Sequence, residues 1–162
     1  MCVTSVPDNE EIAPTPEAAA SGLAAERTRR LDRIDAMRAA GVNPYPYRFD
    51  RTHSLGEIRE QHGHLEAGTE TETRVSVAGR ILLKRDQGKL IFCTIRDRAS
   101  DIQLFVSKSV VGDTEFDEIN ELDLGDWVGV TGLVMTTRKG ELSVKVEKAQ
   151  LLSKAVRPLP DK

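Results

Sequence analysis

Residues 75–106 read VSVAGRILLKRDQGKLIFCTIRDRASDIQLFV. Val75, Val77, Gly79, Ile81 and Leu83 alternate with Ser76, Ala78, Arg80, Leu82 and Lys84. A period of two puts one face of a strand on a dry core and leaves the other wet. The strand is expected from Thr73 onward, and Gly79 inside it is expected to mark a bulge or bend. Asp86-Gln87-Gly88-Lys89 has the composition of a turn. Residues 89–96 continue as a second strand, and Ile102–Val106 form a third beyond the turn Asp97–Asp101.

Outward from this stretch the pattern changes and then returns. Over Gly112–Leu124 the apolar residues Phe116, Ile119 and Leu122 recur every three positions, the mark of a helix with one buried face. Residues 126–137 and 142–152 alternate again, joined by the turn Arg138-Lys139-Gly140-Glu141. Upstream, Leu31, Ile34 and Met37 stripe a helix over 26–40, with Gly41 as its cap and Arg27, Arg30, Arg33 and Arg38 on the remaining surface. A Pro-rich loop with Tyr45, Tyr47 and Phe49 follows and is expected to pack along the domain surface. Ser54 and Glu57 then have capping-box spacing for a short helix over 54–66.

Three strands, a helix and two strands make a mainly β fold with flanking helices. This order matches a five-stranded Greek-key barrel of the OB-fold type, with its helix between strands 3 and 4 and a further helix ahead of it. A different small barrel or a sandwich is the alternative. The expected organisation is a disordered tail over 1–25, a helical segment over 26–70, the barrel over 71–153 and the start of a linker over 154–162.

The 162 residues suit one such domain. No apolar run reaches the length of a membrane span, and no secretory leader is recognisable. Cys2 and Cys93 cannot supply a disulfide framework, so a reducing cytoplasm is expected. His53, His62 and His64 have no cysteine companions and suit no metal site. The net charge of −3 argues against a nucleic-acid binder, but its distribution does not. Residues 73–108 hold eight bases and three acids, residues 109–125 hold six acids and no base, and residues 126–162 hold seven bases and four acids. Local patches of this kind, more than the total, decide what a surface attracts.

Alternation also sorts side chains into inner and outer sets. Val75, Val77, Ile81, Ile91, Cys93, Ile95, Ile102, Leu104 and Val106 are expected inside. Arg80, Lys84, Phe92, Gln103 and Phe105 are then expected outside, on adjacent strands. An outward Phe92 is either covered by the N-terminal segment or offered to a nucleobase. Stacking a base on an aromatic ring contributes about 1–3 kcal/mol, and Gln103 has the donor and acceptor to meet a base edge. Cys93 reads as a buried, inert thiol. No Ser–His–Asp set, phosphate loop or carboxylate pair can be assembled, so no catalytic residue is expected. The acids of 113–123 are expected to form a solvated helix face.

The segments VAGRILLKRDQGKLIFCTIRD, DIQLFVSK, LDLGDWVGVTG and TRKGELSVKVEKAQLLSKAVRPLP, with RLDRIDAMRAAGVNPYPYRF ahead of them, resemble bacterial lysyl-tRNA synthetases. The likeness spans residues 26–162 and concerns their N-terminal anticodon-binding domain. Aspartyl and asparaginyl enzymes share the fold, but the turn before strand 5 and the exit at LLSKAVRPLP favour the lysine enzyme. Leu90-Ile91 depart from the smaller residues usual before the stacking Phe. The resemblance implies that tRNA, through the lysine anticodon stem-loop, is the partner. It implies that Phe92 stacks on the central uridine, Gln103 hydrogen-bonds to it, Arg80 adds contacts and Glu141 reads a neighbouring base. Lys84 and Phe105 support these. It further implies that ATP and Mg belong only to a catalytic domain beyond Lys162, that this chain alone neither activates lysine nor charges tRNA, and that it is a monomer where the full-length family is dimeric. A standalone RNA-binding regulator derived from a synthetase, or a protein-interaction module on the same barrel, are the alternatives.

Overall fold

The computed structural model describes residues 16–160. Nine elements follow in order: α1 (Pro16–Ala39), α2 (Leu55–His62), β1 (Glu70–Asp86), β2 (Leu90–Arg96), β3 (Asp101–Ser107), α3 (Lys108–Val111), α4 (Asp113–Asn120), β4 (Trp127–Thr136) and β5 (Leu142–Ser153). The strands close into a barrel in the order β1-β2-β3-β5-β4. The long β1 pairs with β4 through its first half and with β2 through its second, changing partner at Arg80. A short parallel pairing of Gln103–Phe105 with Ser143–Lys145 closes the ring.

The nine side chains assigned to the interior are all buried, as are Val128, Val130, Val134, Leu142, Val144 and Val146 from the last two strands. Each fully buried Ile or Val contributes roughly 1.5–3 kcal/mol against its exposed state. Phe116 and Ile119 of α4, with Leu55 and Ile58 of α2, extend this core beyond the strands.

Two helix ends follow their sequence signals closely. Ser54 accepts from the Glu57 amide, and the Glu57 carboxylate accepts from the Ser54 amide, completing the capping box. α2 ends at His62, four residues before its expected end. Gly41 takes φ 77° after α1. Its N–H donates to the Arg38 carbonyl and that of Val42 to the Met37 carbonyl, which together satisfy orphan groups of the last turn.

Four expectations are corrected. α1 starts at Pro16, so residues 16–25, expected within the disordered tail, are helical; residues 1–15 of that tail lie outside the described residues. The helix expected over 112–124 is the shorter α4, and an unexpected single turn, α3, precedes it, with Gly112 between them at φ 87°. The irregularity in β1 lies between Ile81 and Leu83, not at Gly79. Gly79 instead lets two strands approach closely: a Cβ there would sit 3.0 Å from the Arg96 carbonyl oxygen. In the Pro-rich loop, Phe49 packs on Gly129 and the Tyr45 hydroxyl donates to the Lys154 carbonyl, but Tyr47 is wholly exposed.

α1 docks through Arg29, Arg30 and Arg33, while Arg27 and Arg38 stay exposed. Arg30 is 4% exposed. It donates to Glu26 at 2.8 Å and to the carbonyls of Leu124 and Ala155 at 3.1 Å each. Arg29 reaches Asp123 at 2.6 Å, and Arg33 donates to the Glu121 carbonyl. Behind them Lys154 donates to Asp126 at 2.7 Å and to Asp123. Asp126, fully buried, also accepts from the amides of Asp123 and Ala155. Burial would raise the Asp123 carboxyl, but hydrogen bonds from Lys154 and Arg29 bring it down to about 2. The acids of 113–123 are therefore not all a solvated face: Asp123 belongs to this network, and Glu115 accepts from the Ala149 amide.

Candidate nucleic-acid interface

Antiparallel pairing sets the outer face of β1, β2 and β3 in rows, because residues directly opposite share a face. One row contains Arg85, Phe92, Phe105 and Lys145. The next contains Leu83, Thr94, Gln103 and Ser143. The third contains Trp127, Arg80, Arg96 and Asp101.

Phe92 points outward and is half-buried, between the buried Ile91 and Cys93. Its ring meets Phe105 edge-to-face, with centroids 5.5 Å apart and planes at 72°. Such a contact fixes the ring orientation. Phe105 is therefore half-covered by Phe92 in the sheet itself. The guanidinium of Arg85 lies 5.9 Å from the Phe92 centroid, close enough for a cation–π attraction. Gln103, half-buried, stands one row on and diagonal to Phe92, a separation of about 7–8 Å between Cα atoms.

Arg80 also faces outward and is exposed, but it sits two rows from Phe92. Its guanidinium lies 5.6 Å from the Trp127 ring centroid. Beside it Arg96 holds Asp101 through two hydrogen bonds, one of 2.7 Å, and keeps that carboxyl below the usual range. Glu141 closes the far end of this row. It lies two residues before Ser143, as Asp101 lies two before Gln103. Arg59 of α2 ties the two positions together, donating to the Asp101 carbonyl at 2.8 Å and placing Nη2 3.8 Å from the Glu141 carboxylate. The Glu141 carboxylate remains exposed and free to accept from a base N–H.

Lys84 is the one proposed contact that the geometry moves off this face. The bulge between Ile81 and Leu83 inserts one residue, and every side chain beyond it changes sides. Lys84 consequently pairs opposite the buried Cys93. Its ammonium donates to the Asn120 and Leu122 carbonyls at the end of α4, and burial pushes it below the usual lysine range. Arg85 takes the outer position instead, over the Phe92 ring. The signal for Arg85 is present in the sequence: three apolar residues in a row, Ile81-Leu82-Leu83, cannot all obey a period of two. Trp127 is a third outward aromatic, opposite Arg80, that strand periodicity alone did not single out.

Cys93 is buried, and burial raises its thiol to about 11, so it remains a protonated packing group. Among the described residues no helix is long and apolar enough to cross a membrane.

Residues 75–152 match the model of the OB-fold nucleic acid binding domain. The chain is also similar to the lysine–tRNA ligase of Enterococcus faecalis, 46% identical over 135 residues, covering 82% of this chain and 27% of that protein. The lysine–tRNA ligase of a Synechococcus species is 43% identical over 137 residues, covering 84% of this chain and 28% of its own. That of Prochlorococcus marinus is 40% identical over 151 residues, with 88% and 30% covered. The chain thus spans less than a third of the length of these curated relatives. Barrel topology, an outward aromatic face and these similarities agree, and the chain belongs to the family of anticodon-binding OB-fold domains carried by lysine–tRNA ligases.

Proposed function

We propose that this chain binds tRNA and reads the lysine anticodon on the outer face of β2 and β3, as part of lysyl-tRNA aminoacylation in the cytoplasm. One observation carries the reading: Phe92 points outward and is half-buried, with the Arg85 cation over its ring and the Gln103 amide one row away. A base laid on the ring loses water from its apolar face, while its polar edge comes within reach of Gln103. Uridine suits that amide, since its N3–H and O4 are a donor and an acceptor side by side, matching the carbonyl and NH₂ of Gln103. Glu141 accepts from a neighbouring base, and Arg80 and Arg85 balance phosphate charge at either end of the face. Phe105 supports the platform by holding the Phe92 ring. Lys84 has no part in this reading beyond fixing the end of α4.

The test is Phe92→Ala, measured by binding of a fluorescent lysine anticodon stem-loop. The expected loss is about 1–3 kcal/mol, roughly 5- to 150-fold in affinity, with the unfolding midpoint little changed. Unaltered RNA affinity contradicts the reading, and a protein partner that still binds the face would favour an interaction module.

A further inference from the structure

The bulge that turns Arg85 outward also turns out Leu83, which lies opposite Thr94 and is 62% exposed. A single exposed leucine is ordinary on a protein surface. This one stands in the middle row of the face, where its neighbours are Thr94 on the same row and Arg85 two positions along β1. Leu83 and Gln103 flank Thr94 on opposite sides, two strand spacings or about 9.5 Å apart. A base on Phe92 that turns its edge toward Gln103 therefore extends away from β1. Leu83 is diagonal to Phe92, about 7–8 Å from it, against the ~3.4 Å that one stacked base occupies. Leu83 lies beside that base, not beneath it, and its methyl groups remain open to solvent.

We infer that Leu83 is the apolar seat for a second unpaired nucleotide, the neighbour of the one stacked on Phe92. The inference rests on the RNA reading of this face. A leucine side chain has no donor or acceptor, so it takes a nucleobase by its ring face and does not read its edge. The seat selects a loop whose adjoining base is free and turned out, and it tolerates any base there. It also gives the bulge a functional consequence: without the rephasing, Lys84 would occupy the rim and Leu83 would face inward.

The experiment compares the full chain with Leu83→Ala, Leu83→Met and Phe92→Ala. Binding is measured to a uridine-rich anticodon stem-loop and to versions with one abasic site at each loop position. Leu83→Ala is expected to weaken binding to the intact loop about fivefold, from the apolar contact it removes. Leu83→Met, which keeps the apolar reach, is expected to bind close to the unaltered chain. One abasic position should erase the effect of Leu83→Ala, and it should adjoin the position that erases the effect of Phe92→Ala. The inference is overturned if Leu83→Ala binds like the unaltered chain, if no abasic site changes its effect, or if both variants respond to the same position. In those cases a large effect of Phe92→Ala keeps the RNA reading intact. If Phe92→Ala is silent as well, the reading itself falls together with the inference.

Discussion

Arg30 and Arg85 carry the same guanidinium into opposite surroundings. Arg30 is buried at the base of the barrel, where carbonyls of the α4–β4 loop and of the segment after β5, with Glu26, take up its donors. Arg85 is exposed on the sheet face and rests over an aromatic ring. Around Arg30 charge is paired and shielded, and among the described residues no buried side-chain polar atom lacks a partner. Around Arg85 cations and amides are left with capacity to spare. A basic stretch of sequence thus serves as architecture where acids and carbonyls face it, and as a docking surface where an aromatic platform faces it.

The largest effect is expected from breaking the first region. Asp126→Ala strips the buried Lys154 of one carboxylate and two backbone amides of their acceptor. Removing one partner of a buried pair costs about 3–5 kcal/mol. Urea unfolding should show that loss, whereas Phe92→Ala in the second region should leave the midpoint within about 1 kcal/mol while abolishing most RNA affinity.

Acid titration tests the same region more gently. Asp123 and Glu26 are both held near 2 in the folded chain, Glu26 by hydrogen bonds from Arg29 and Arg30. Their unfolded values lie near 4. A carboxyl depressed by folding adds stability that is fully present above its unfolded pKa and is lost as pH falls toward the folded one. Stability should therefore decline between about pH 4 and pH 2, and the decline should be smaller in Arg29→Ala, which has already surrendered the Arg29 pair at both carboxyls. Denaturant midpoints measured across that interval check the sign.

The smallest effects sharpen the boundary between the regions. Lys84→Met should cost about 1–2 kcal/mol of stability, since it removes a charged donor from two carbonyls at the end of α4, and it should leave RNA binding unchanged. Arg85→Met should do the reverse, losing about 0.5–2 kcal/mol of RNA affinity with no shift in the unfolding midpoint. If both variants act alike, the rephased strand does not separate the two roles.

Much of the barrel was legible because inner and outer residues alternate without interruption in β2 and β3. Ile91, Cys93 and Ile95 could face only one way, which leaves Phe92 and Gln103 on the other. β1 was harder to read. One inserted residue at Ile81-Leu82-Leu83 reverses everything downstream, and glycine at 79 drew attention to the wrong position. The role of Arg30 was hidden for a different reason: its partners lie near residues 124 and 155, and helical periodicity says nothing about carbonyls that distant segments bring together. The start of α1 was obscured by composition, because a Pro- and Ala-rich stretch reads equally as a solvated extension or as the first turns of a helix.

The most direct test of the whole account is an NMR titration of the chain with a uridine-rich lysine anticodon stem-loop. The account predicts that backbone amides of Phe92, Thr94, Gln103, Phe105 and Glu141 shift together, while those of Arg30, Asp123 and Asp126 stay where they are. Shifts confined to α1 and the α4–β4 loop, with the β2–β3 face silent, would contradict it.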